Sequence, residues 1–101
     1  MGIRHIALFR WRDDVTPAGV AQVEKLLGEL PGVIPELRAY AFGPDAGISE
    51  GTYDFAVVAD VDDEAGFAAY RDHPAHQAAL AVIRPMLADR AAIQYPVEIT
   101  G

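Results

Sequence analysis

In YDFAVVADVDDEAGFAAYRDHPAHQ, residues 53–77, the side-chain pattern changes period once and is then interrupted once. Tyr53, Phe55, Val57, Ala59 and Val61 alternate with Asp54, Ala56, Val58 and Asp60, the two-residue period of a strand with one strongly apolar face. Asp62, Asp63 and Glu64 then supply a cap and the negative charge favoured at a helix N-terminus, so a short helix is predicted through about Tyr70. Pro74 restarts helical structure, because its fixed φ suits the first helical position. Ala75 to Arg84 are rich in helix formers until Pro85 bends or closes the run. The helix after this strand is therefore split in two.

Upstream, residues 3–12, IRHIALFRWR, place Ile3, His5, Ala7, Phe9 and Trp11 on one face of a first strand. Thr16 and Pro17 cap a first helix in which Val20, Val23, Leu26, Leu27 and Leu30 recur at helical spacing up to Pro31-Gly32. Leu37 to Phe42 form a second strand, and Gly43 to Gly51 read as a loop. Downstream, Ala91, Ile93, Tyr95, Val97 and Ile99 make a fourth strand whose Pro96 suggests an edge or a bulge. The order β-α-β-β-α-β predicts a ferredoxin-like α+β fold, one domain over residues 1–101, with both helices on one face of an antiparallel sheet. Ile6, Leu8, Ala56 and Val58 make the opposite face apolar too, and a second copy packed sheet to sheet is its simplest cover. The expected partner is thus the chain itself, as a homodimer.

Composition narrows the function classes. Fifteen Asp and Glu against eight Lys and Arg give a formal charge of -7, which argues against nucleic acid. With no cysteine, thiolate metal sites and a Cys nucleophile are excluded. No apolar run is long enough to span a bilayer and no leader pattern opens the chain, so no membrane partner is expected and a cytoplasmic home is the default.

The chemistry gathers in YRDHPAHQ, residues 70–77. With Pro74 first in its helix, His73 is the N-cap and His76 the third helical position. The positive helix end disfavours a protonated imidazole there, leaving a neutral His76 able to accept a proton. Tyr70 can offer its phenol to a developing oxyanion. The plainer alternative is that His76 only caps or packs. His73-x-x-His76 lacks the further ligands of a metal site, so none is expected. His5 is the polar member of an apolar strand face, either a core histidine satisfied by backbone or a residue that meets His76 across one cavity.

His5, LPGVIPELRAYAFGPD at 30–45, SEGTYDFAVVADVDDEAGFAAYRDHPAHQ at 49–77 and RPMLADRAAIQYPV at 84–97 together resemble the stress-responsive α/β-barrel (Dabb) domain family over nearly the whole chain. The resemblance implies a dimeric α+β barrel with a small-molecule pocket. The family includes plant polyketide cyclases that close a carbonyl chain by cofactor-independent aldol condensation. Tyr70 and His76 fall on the catalytic positions of that Y-x-x-H-P-A-H segment, and His5 on a pocket histidine. Leu27 and Asp54 take the places of a pocket tyrosine and a pocket histidine, which implies a different ligand, and Phe9 is expected to line the same pocket. The implied function is cofactor-free acid-base chemistry, an aldol-type cyclisation or related lyase reaction on a polyketide-like carbonyl compound. The alternative is a non-catalytic stress-responsive or ligand-binding protein.

Overall fold

The computed structural model describes residues 1–99. Strand β1 (Gly2–Trp11) leads to helix α1 (Pro17–Glu29), which a 3-10 turn at Leu30–Gly32 ends. Strands β2 (Ala39–Pro44) and β3 (Phe55–Val61) follow, then α2 (Glu64–Asp72), α3 (Pro74–Ile83), a 3-10 turn at Arg84–Met86 and β4 (Leu87–Val97). The sheet is antiparallel, in the order β2-β3-β1-β4. This is the predicted ferredoxin-like arrangement, with the predicted split helix. No helix among the described residues is long and apolar enough to cross a membrane.

Local chemistry sets the helix boundaries. The Thr16 hydroxyl accepts the Gly19 N–H and the Asp63 carboxylate the Gly66 N–H, so α1 and α2 each begin on a side-chain cap. At the split, His73 ends α2 and its Nδ1 accepts the Ala75 N–H, which starts α3 with Pro74 in first place. The core lies between the helices and one sheet face, where Val23, Leu27, Leu30, Ile34, Phe55, Val61 and Ile83 are buried. Phe9, Phe42 and Phe55 stack within it, Phe55 lying 6.2 Å from each of the other two.

Several strand boundaries differ from the sequence reading, among them the start of β2 at Ala39 rather than Leu37. β4 begins at Leu87 rather than Ala91, because Leu87 to Arg90 pair with Phe9 to Trp11 through a register shift between Arg10 and Trp11. β2 runs on to Pro44, as Gly43 and Pro44 pair with Ala56 and Phe55 at the outer edge where a missing N–H is tolerated. β3 starts at Phe55, with Tyr53 and Asp54 ahead of it, and Ile99 lies past the end of β4. Pro96 does sit on an edge strand of the sheet.

Candidate functional site

Between the helix-facing side of the sheet and α2 and α3 lies a cavity of about 460 Å³, within the usual range for small-molecule sites. Phe9, Leu27, Val57 and Ile83 contribute apolar wall, and His5, Tyr40, Tyr70 and His76 bring polar groups. His5 is positioned by register: it stands opposite Ala59 and Gln94 on the central strand. Its ring is buried, and the Gln94 side-chain amide donates to Nδ1 at 2.8 Å, so neutral His5 carries its proton on Nε2. Burial lowers the His5 pKa from 6.5, and the positive charge of Arg90 and the neighbouring His76 push it the same way.

His76 occupies the third position of α3, and its Nδ1 donates to the Arg71 carbonyl at 2.9 Å. The Gln77 amide donates to the same oxygen at 2.6 Å. Arg71 lies in the last turn of α2, where carbonyls lack intrahelical partners, so both bonds satisfy an orphan acceptor. Because a carbonyl only accepts, Nδ1 holds the proton and Nε2 keeps its lone pair. Burial is the leading cause of a lowered His76 pKa; the Arg71 bond opposes it, Arg84 and Arg90 reinforce it, and Asp72 opposes it weakly. Burial thus favours the neutral His76 in the same direction as the helix dipole.

Tyr70 joins the two histidines. Its ring centre lies 4.3 Å from that of His76 and 6.5 Å from that of His5. Burial raises its pKa, with Tyr40 and Arg90 pulling it part of the way back, so the phenol stays protonated near neutrality and can donate. Tyr40 meets Tyr70 edge-on at 6.1 Å. Their hydroxyls are near enough for each to affect the other's titration, but the Tyr40 hydroxyl is buried without a hydrogen bond of proper geometry. A buried, unpaired hydroxyl on a cavity wall has hydrogen-bonding capacity to spare.

Of the residues singled out from the sequence, His5, Phe9, Leu27, Tyr70 and His76 share this cavity. Asp54 does not. It precedes β3, where its carboxylate accepts the Trp11 N–H at 2.8 Å and its backbone bonds Phe9 and Asp45, so its side chain secures the strand ends instead of facing a ligand. Sequence reasoning missed Tyr40, Gln94, Arg84 and Arg90. Alternation with Phe42 carried the signal for Tyr40, and the parity of β4 carried it for Gln94, whereas Arg90 lies ahead of the strand as read from Ala91. Arg84 follows the apolar stripe of α3 and carried no such signal.

A four-stranded antiparallel sheet with helices on one side, enclosing a cavity lined by histidines and tyrosines, defines a ferredoxin-like α+β protein with a site of small-molecule dimensions. The chain belongs to the Dabb family, the stress responsive A/B barrel domain, which it matches over residues 3–97. It is 38% identical to an uncharacterized protein of Streptomyces coelicolor over 85 residues, 81% of this chain and 87% of that one. A dimeric ferredoxin-like protein of unknown function from Thermobifida fusca is 65% identical, with a TM-score of 0.91 over 96% of this chain and 92% of that one. A hydroxynitrile lyase from Passiflora edulis shares the fold at 18% identity, with a TM-score of 0.84 over 99% of this chain and 96% of that one.

Proposed function

We propose that this chain is a homodimer whose cavity binds a small carbonyl compound and performs cofactor-free acid-base chemistry on it. The observation that carries the reading is His76, whose ring is fixed through Nδ1 while Nε2 is left as a base beside the Tyr70 ring. Nε2 takes a proton from the carbon next to the substrate carbonyl, and the electron pair moves onto the carbonyl oxygen. Tyr70 donates to that enolate oxygen. The enolate carbon can then attack a second carbonyl, and the imidazolium returns its proton to the new alkoxide, which closes an aldol-type cycle. Aromatic walls and the spare Tyr40 hydroxyl suit a polyketide-like ligand. The dimeric Thermobifida fusca protein supports a second copy, for which the apolar, uncovered sheet face is the natural seat.

The test is deuterium uptake at the methyl group of acetophenone in D₂O, followed by proton NMR. Wild-type protein is expected to exceed the buffer rate, His76→Gln to abolish the excess, and Tyr70→Phe to reduce it on the order of a hundredfold. The two hydrogen bonds that His76 and Gln77 donate to the Arg71 carbonyl also favour a second reading, in which His76 only locks the helix junction of a ligand-binding protein. Acetophenone that binds without exchanging would select that reading.

A further inference from the structure

Charge around the cavity runs against the average of the chain. The protein has fifteen Asp and Glu and eight Lys and Arg, yet Arg71, Arg84 and Arg90 line the cavity with Asp72 as its one acid. Asp72 is already engaged, since Arg71 Nε and Nη2 reach its carboxylate at 2.9 and 3.0 Å. Arg84 and Arg90 have no carboxylate partner among the described residues. An acidic protein therefore presents two uncompensated guanidiniums at one small cavity, an arrangement that concentrates anions there.

The fold holds both in place. Arg90 stands opposite Phe9 on the helix-facing side of the sheet, while its neighbour Asp89 stands opposite Arg10 on the other face. There the Asp89 carboxylate accepts the Tyr53 hydroxyl at 2.9 Å and the backbone N–H of Arg90 at 2.8 Å, so it leaves the Arg90 guanidinium unpaired. Strand alternation separates the acid from the base. Arg84 opens the 3-10 turn Arg84–Met86, where Pro85 fixes the backbone.

We infer that Arg84 and Arg90 form an anion subsite and that the ligand is a carbonyl compound bearing a carboxylate, its carboxylate at the two guanidiniums and its carbonyl at Tyr70 and His76. This rests on the cavity being a small-molecule acid-base site. Planar guanidiniums match a planar carboxylate. Guanidiniums take phosphate as well, but the helix-start N–H groups of Ala75 and Gln77 that would favour the more highly charged anion are taken by the His73 ring and carbonyl. The subsite also serves the chemistry, because Arg84 and Arg90 both disfavour the imidazolium of His76. A bound carboxylate offsets that field and strengthens the base only when substrate is present.

The test compares benzoate, its neutral isostere benzamide and phenyl phosphate by calorimetry and NMR on the wild-type protein. Benzoate is expected to bind about tenfold more tightly than benzamide, with a preference that fades as salt is added. Arg84→Gln with Arg90→Gln should remove that preference and leave benzamide binding intact, while the paired Lys variants retain part of it. Both arginines are exposed, and an unchanged thermal midpoint checks that the variants fold. Equal binding of benzoate and benzamide overturns the subsite but spares the proposed function. A tenfold preference for phenyl phosphate overturns the carboxylate assignment, and failure of all three to bind overturns both the subsite and the function on which it rests.

Discussion

At the scale of single residues, the two cavity histidines have opposite tautomers, fixed by their partners. His5 accepts at Nδ1 from Gln94, whereas His76 donates from Nδ1 to Arg71. One ring thus offers an N–H at Nε2 and the other a lone pair, the complement needed for proton transfer. Both folded-state pKa values lie below 6.5, so both rings bind a proton more readily in the unfolded chain. Stability should hold above about pH 6.5 and fall as the pH drops towards the lowered values, since the unfolded state then takes up more protons. Urea unfolding at about pH 7.5 and about pH 5.5 should show this loss, and His5→Gln should reduce it. Asp72 and Asp89 have pKa values lowered from 3.8 and act only in more acidic solution, so they do not obscure the window. A slope identical in wild type and His5→Gln would show that His5 is not held neutral by burial. Part of this site was legible in sequence: Tyr70, Pro74 and His76 announce themselves by spacing, and His5 by being the polar member of an apolar face. Asp54 was not, because alternation extends through Tyr53 in the sequence while pairing stops at Phe55, and the side chain turns to the Trp11 N–H.

At the scale of elements, the split between α2 and α3 creates the site. A continuous helix would leave the Arg71 carbonyl bonded within the helix; the break exposes it to His76 and Gln77. The order of elements was readable because each carries its own period or cap. Strand ends were less so: Leu87 to Arg90 have no β-branched residue, and their pairing with Phe9 to Trp11 is a long-range contact that local pattern does not encode. Caps are local, and their energetic role can be measured directly. Asp63 accepts the Gly66 N–H at 2.8 Å, so Asp63→Ala should cost about 1 kcal/mol and Asp63→Asn should restore most of it. Chemical denaturation of the three proteins checks this, and equal losses in both variants would assign the effect to charge at the helix end instead of to the cap.

At the scale of the whole molecule, the open face of the sheet is the feature that a single chain leaves unexplained. Ladder pairing aligns Ile93, Ile6, Val58 and Ala41 in one row across all four strands, with Ala91, Leu8, Ala56 and Gly43 in the next. Ile93 is 59% exposed and Tyr95 39% exposed. Beside these rows, Arg4 grips Asp60 through two bonds of 2.9 Å, which neutralises the most buried acid before anything packs upon it. An apolar field whose most buried charge is already paired is suited to burial against another such field. If two copies meet there, light scattering of the wild-type protein should give twice the chain mass of 10.9 kDa. Ile93→Asp, on the exposed part of the central row, would bury an unpaired carboxylate in each half of the interface and should shift the protein to monomer. Ile48→Asp, a loop residue 89% exposed, serves as the control and should leave the mass unchanged. A wild-type mass of one chain would exclude the homodimer, and a dimer indifferent to Ile93→Asp would place the contact elsewhere than on this face.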